Sequence, residues 1–192
     1  MKRLDLLEAD VCKLYKQKKF NKNWRDWIYK NHVLVTANFA TDLASKYKAN
    51  VELSRVAALL HDITDVIMER KEENHFKESL LLAQKIMKQY QYSNNDIDLI
   101  VDDALRYHSC HGNEKPKSLE GKILATADSL AHLKTDFYIY FTRAFKDEMS
   151  YESTKQKVLE KLDRDINKKI FFEEERSDAM KDYKALKSLF LK

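Results

Sequence analysis

Apolar residues recur along this chain at intervals of three and four, from its first turn to its last. That is the period of amphipathic α-helices, each turning one face to a core. Leu4, Leu7, Val11 and Leu14 mark a first helix. Ile28, Val35, Phe39 and Leu43 mark a second, from about Asp26 to Tyr47. Asn50 is placed to cap a third, which carries Val51, Leu53, Val56, Ala57 and Leu60 and stops near His61-Asp62. A fourth spans about Glu73 to Tyr90. The polar run Ser93 to Asp96 starts a fifth, with Ile97, Ile100, Val101, Ala104 and Leu105 apolar. Gly112 and Pro116 fall in His108 to Ser118, the strongest loop signal. A sixth helix starts near Leu119 and contains Asp128.

After about residue 146 the background becomes heavily charged. Val158, Leu162, Ile166 and Ile170 stand four apart, and Met180, Tyr183, Leu186 and Phe190 form another stripe. These predict one or two amphipathic helices packed on the body. The expected fold is all-α: a helical bundle over 1–145 and a charged helical extension over 146–192.

Composition supports this. Glycine occurs twice and proline once in 192 residues, where average usage gives roughly 23 of the two together. Hairpins and glycine-rich phosphate loops need those residues, which argues against β-sandwiches, Rossmann domains and P-loops. Lys and Arg number 35 against 31 Asp and Glu, a net charge of +4. That balance is too small and too mixed to imply a nucleic-acid partner. Cys12 and Cys110 make no disulfide framework, which fits a reducing compartment. Asp5, Glu8 and Asp10 interrupt any signal peptide, and the longest apolar run, Val56 to Leu60, is far short of a membrane span. The expectation is a cytoplasmic protein, monomer or homodimer, with no membrane partner.

The candidate chemistry lies in the histidines. His61-Asp62 ends the apolar run ALLHD. Taken alone, the pair reads as a capped helix end with a buried, hydrogen-bonded histidine. His32 lies on the preceding helix among apolar residues, and Asp128 lies mid-helix between Ala127 and Leu130, where a lone carboxylate is costly to bury. His75 starts the fourth helix and His108 ends the fifth. Helices in a bundle bring such groups to one point.

These residues resemble the HD-domain metal-dependent phosphohydrolases. The family pattern is a histidine, an adjacent His-Asp pair one helix later, and a distant aspartate. His32, His61, Asp62 and Asp128 supply it in order, with the local wording LLHDITD and ILATADSLAHL. The resemblance spans about residues 24 to 140. It implies one or two divalent ions of Mn, Fe, Mg, Co or Ni type, held by those four residues. In dinuclear members a second ion takes two more histidines, matched by His75 (in HFKES) and His108 (in LRYHS), with His111 an alternative to His108. It also implies hydrolysis of a nucleotide or similar small phosphate ester by a metal-activated water, with Asp62 bridging two ions. Asp65 is the candidate for orienting an imidazole or shuttling a proton, and equally reads as a solvated helix-start carboxylate. His132, four after Asp128, and Arg106, near His108, are candidates for the substrate phosphate, although an ordinary surface or packing role is the commoner one for each. Phe137, Tyr138, Tyr140, Phe141 and Phe145 are placed to wall a pocket, although such a run at helical spacing is more often core or a dimer contact. A Cys110 nucleophile or a zinc site on His108, Cys110 and His111 has little support in the spacing. The serious rival is an HD scaffold that binds metal, a nucleotide or a partner without catalysis.

Overall fold

The computed structural model of the chain describes residues 2–17, 27–70, 72–144 and 149–191; Asp26 and Phe145, named above, lie outside the described residues. Every regular element among the described residues is a helix. In chain order, α1 is Arg3–Lys16. α2 covers residues 27–47, with a π-wound turn Tyr29–Val33 before the regular stretch Leu34–Tyr47. α3 is Val51–Leu60, followed by the 3₁₀ turn Ile63–Val66, and α4 is His75–Gln89. α5 covers residues 94–107 and is π-wound over Asp98–Leu105; α6 is Leu119–Leu133, and α7 is Phe137–Ala144. α8, Tyr151–Arg164, runs on into a π-wound turn Asp165–Lys169, and α9 is Glu173–Phe190.

Local chemistry sets the helix starts. Asn50 Oδ1 accepts the Leu53 N–H at 3.0 Å. Ser93 Oγ accepts the Asp96 N–H at 3.2 Å, and Asp96 Oδ2 returns the favour to the Ser93 N–H at 3.3 Å, a capping box. Ser118 Oγ accepts the Gly121 N–H at the start of α6, and Ser150 Oγ the Ser153 N–H at the start of α8. Each satisfies an N–H that the first helical turn leaves without a partner.

α6 is the axis of the bundle. Every residue from Ile123 to Leu133 is buried. The helix touches α2, α3, α5, α7, α9 and the tail of α8. Ala125, Thr126, Ala127, Ser129 and Ala131 keep its girth small, so neighbouring backbones come close on all sides. A polar group in the middle of α6 is therefore an interior group, whichever way it faces.

The two C-terminal helices share this core. Val158, Leu162, Ile166 and Ile170 are buried in the same cluster as α6, and Met180, Tyr183, Leu186 and Phe190 are partly buried against it. Thr126 on α6 hooks the chain between them: its Oγ1 donates to the Lys169 carbonyl at 3.3 Å and accepts the Phe171 N–H at 3.1 Å. No helix among the described residues is long and apolar enough to cross a membrane, and Cys12 and Cys110 are both free.

Gly121 fixes the loop between α5 and α6. A Cβ at this position would lie 2.6 Å from Pro116 Cβ and 3.0 Å from both Asp103 Oδ2 and Ser118 Oγ. Asp103 itself accepts the N–H groups of Lys117 and Ser118 at 2.9 Å, so the loop has little room to give. Gly121→Ala is expected to cost about 1–3 kcal/mol in urea denaturation, an overpacking penalty that outweighs the better helix propensity of alanine. Unchanged or raised stability would show that the loop moves aside.

Candidate metal centre

Three elements converge on one point. His32 is carried by the π-wound turn of α2, His61 closes α3, and Asp128 sits in the middle of α6. All three are buried. The extra residue in a π-turn re-aims side chains relative to a regular helix, and here the turn holds the ligand candidate. His32 Nε2 lies 2.9 Å from His61 Nε2 and 3.2 Å from Asp128 Oδ1. Asp62 Oδ2 lies 3.6 Å from His32 Nε2 and 3.5 Å from His61 Nε2. One ligand atom each from His32, His61 and Asp128 falls within 4.8 Å of the others.

The hydrogen bonds fix what these atoms can do. His61 Nδ1–H donates to the Ala58 carbonyl at 2.7 Å, which leaves a lone pair on Nε2 aimed at the cluster. Two imidazole nitrogens 2.9 Å apart cannot both present lone pairs unless a cation lies between or beside them. Asp128 Oδ1 is buried without a directed hydrogen bond, as is His32 Nδ1. An orphaned carboxylate oxygen facing two imidazoles is a donor set that fits a divalent ion.

The charges follow the same logic. Burial opposes charge on His32, but its contacts with Asp128 and Asp62 outweigh it and raise its pKa. Burial lowers the pKa of His61. Asp62 is half-buried and Asp128 buried, yet both stay ionised well below the usual carboxylate range. Arg70, with His61 and His32, holds Asp62 there; His132, Lys169 and His32 hold Asp128.

Around this centre the candidates sort themselves. His61 and Asp62 line a cavity of about 600 Å³ together with Arg70, His75, Arg106 and His108. His75 Nε2 bonds Asp65 Oδ1 at 3.0 Å, so Asp65 is a buried anchor for an imidazole rather than a solvated carboxylate. His108 Nδ1–H donates to the Leu105 carbonyl at 2.7 Å, leaving its Nε2 lone pair available. His111 lines the same cavity. Arg106 stands at the cavity, paired with Asp102 at 2.8 Å.

His132 is placed differently from its expected contact with a substrate phosphate. It is buried behind Asp128, with Nε2 3.2 Å from Asp128 Oδ1 and Nδ1 3.0 Å from Asp165 Oδ2, and it does not line the cavity. Its ring stacks on His32 at 4.8 Å, and Phe137 lies 4.0 Å from it on another side. Phe137 and Tyr138 are accordingly core behind the histidines, not cavity wall. Cys110 is buried, and burial raises its pKa, the reverse of what a thiolate nucleophile needs.

Sequence reasoning missed three groups. Arg70 bonds Asp65 through Nε at 2.8 Å and also pairs with Asp62. Lys169 pairs with Asp128, and Asp165 receives His132, both from the turn after α8. Asp165 and Lys169 each fall three residues after a stripe residue, Leu162 and Ile166, on the buried side of a charged helix, a signal that a stripe read at intervals of four passes over; Arg70 carries no such signal.

The buried imidazoles predict an acid-sensitive metal-free protein. Burial lowers the pKa of His108 to about 4 and of His132 to about 3. The unfolded chain, with imidazoles titrating near ~6.5, then binds more protons than the folded one, and stability falls as pH drops through that window. Below about pH 4 the depressed carboxylates Asp62 and Asp128 add to the loss, because the unfolded chain protonates them first. His32, with its raised pKa, acts in the opposite sense and offsets part of the effect. Urea denaturation in excess chelator is expected to show about 2–4 kcal/mol less stability at pH ~5 than at pH ~7. Equal stability at both would mean the imidazoles protonate without cost inside the fold.

Comparison with known proteins agrees with this geometry. The HD domain family matches residues 29–133. Ribonuclease Y of Thermosipho melanesiensis is 28% identical over 125 residues, covering 65% of this chain and 22% of that protein. Ribonuclease Y of Bacillus subtilis is 30% identical over 125 residues, with the same coverage of 65% and 22%. The chain thus spans about a fifth of the length of these relatives. A crystal structure of a predicted HD superfamily hydrolase from an uncultured Thermotogales bacterium superposes with a TM-score of 0.64 at 21% identity, over 98% of this chain and 89% of that one, a likeness of fold. The matched span contains His32, His61, Asp62 and Asp128 in their converging positions, and the chain belongs to the HD domain family.

Proposed function

We propose that this protein is a metal-dependent phosphohydrolase acting on a nucleotide or similar small phosphate ester. The observation that carries this reading is the meeting of two imidazole Nε2 atoms, 2.9 Å apart, with an Asp128 Oδ1 that has no directed hydrogen bond, beside a cavity of about 600 Å³. A cavity of that size suits a small ligand. HD domains bind divalent metals, and family membership together with the cluster supports a metal-dependent hydrolase.

His32, His61, Asp62 and Asp128 would hold one ion, and His75 with His108 a second. When bound, a divalent ion polarises a phosphoryl oxygen and makes water a stronger acid. The chain's own residues do the rest. Arg70 pins Asp62 and Asp65 in one orientation, and Asp65 in turn holds the His75 ring. With Nε2 committed to Asp65, His75 offers Nδ1. Arg106 brings a guanidinium to the cavity, where it can trade Asp102 for a phosphate oxygen. The buried His32 and His132 rings, with Phe137 packed on both, exclude water from the back of the centre.

The mixed charge, 35 basic against 31 acidic residues, favours a small substrate over a nucleic acid. The similar proteins carry the name of a ribonuclease, so short RNA belongs in the same screen. The free cysteines fit a cytoplasmic setting, and a monomer or homodimer suffices for the site.

Phosphate release from nucleoside mono-, di- and triphosphates, cyclic nucleotides and short RNA, each with several divalent ions, tests the activity. Release should need the ion and stop on chelation. Asp128→Asn should abolish turnover while the protein stays folded. If no ester is cleaved with any ion although metal is bound, the binding-module reading replaces the enzyme.

The ligand set has its own test by metal analysis. Asp62→Ala should lose most bound metal. His75→Ala should lower stoichiometry from about two ions to about one per chain. A folded Asp62→Ala protein with full metal content would refute the ligand assignment, and a native protein saturating at one ion would remove His75 and His108 from it.

A further inference from the structure

The charges behind Asp128 come from beyond the HD match, which ends at residue 133. The turn Asp165–Lys169 follows α8 and enters the core against α6. Lys169 is almost fully buried, 1% exposed, a rare state for a lysine. Its ammonium pairs with Asp128 Oδ2 and lies 3.4 Å from Asp165 Oδ1. Asp165 is equally buried and is held by three donors: Tyr138 Oη at 2.5 Å, His132 Nδ1 at 3.0 Å and Ser129 Oγ at 3.4 Å. The Thr126 hook fixes the backbone on which Lys169 sits.

Asp128 therefore has two chemically distinct oxygens. Oδ2 is committed to an ammonium, while Oδ1 faces His32 and His132 with no directed hydrogen bond. A fixed cation on one oxygen of a ligand carboxylate has two opposed effects. Without metal it balances a charge that would otherwise be buried unpaired. With metal it repels the incoming ion and draws charge away from the ligand.

We infer that Lys169 is a resident counter-ion of the metal centre, supplied by the C-terminal helices, which keeps the empty site folded and weakens metal binding to an exchangeable level. This rests on the metal-site reading above. Asp165 is the positioning residue of the device: it shares the ammonium and so moderates its effect on Asp128. Neither residue lines the cavity, so the effect is read in metal affinity rather than in substrate contact.

The two residues should act with opposite sign, which a merely structural role would not produce. Titration of Mn²⁺ into chelator-stripped protein by calorimetry measures this directly. Lys169→Met removes the repelling charge and should bind Mn²⁺ about tenfold more tightly. Its metal-free Tm should fall by roughly 10 °C and recover with saturating Mn²⁺. Asp165→Asn leaves the ammonium to Asp128 alone and should bind Mn²⁺ about fivefold more weakly. Lys169→Arg keeps the charge and should stay within about twofold of the native protein. If Lys169→Met does not fold even with Mn²⁺, Lys169→Gln takes its place with the same expected direction. Unchanged or weaker binding in the lysine variant, or unchanged or tighter binding in Asp165→Asn, overturns the counter-ion role. A native protein that binds no divalent ion overturns the metal site itself, a separate result.

Discussion

The carboxylate of Asp128 is the constraint around which the molecule is arranged. It sits on a helix buried on every side from Ile123 to Leu133, where an uncompensated charge is too costly to keep. The fold answers with proton-bearing or cationic groups from two directions, His32 from α2 and Lys169 from the turn after α8, and packs the His132 ring of its own helix beside them. Each of those groups then needs its own support. Asp165 supports His132 and Lys169, and Tyr138 and Ser129 support Asp165. One buried charge thus accounts for a network that spans α2, α6, α7 and α8.

The same arrangement ties the bundle to its site. Small residues on α6 allow α2 and α3 to approach closely, and this brings His32 and His61 within hydrogen-bonding range. The π-wound turn in α2 places His32 on that seam. The outer half of the site is built on a different element, the 3₁₀ turn Ile63–Val66, through Asp65 and its partners Arg70 and His75. The inner half is buried, while the outer half opens on the cavity. That division suits a centre in which ions are held at the back and a phosphate arrives from the front.

Most of the fold was legible in the sequence because helical periodicity and capping act locally. Asn50 and Ser93 stop the chain from being anything else at their positions, and the structure uses both as caps. The core ligand candidates were legible too, since the order and wording around His32, His61, Asp62 and Asp128 point to one family. Asp65 and His132 were found as residues, but their surroundings were not. A carboxylate at a helix start and a histidine one turn from Asp128 look alike whether they face water or the core.

The sequence by itself determined an all-α bundle, its main helix boundaries and the residues able to bind metal, because each depends on neighbours within one or two turns. Only the tertiary structure decided which charges are buried and with whom. Lys169 stands beside Lys168, and residue type does not separate the two; the turn of the helix sends Lys169 inward and Lys168 to solvent. Arg70 lies where no periodicity holds, and its partners Asp62 and Asp65 are fixed only once the chain turns back on itself after α3. Long-range electrostatic pairing leaves no short-range pattern, and that physical difference separates what was readable from what was not.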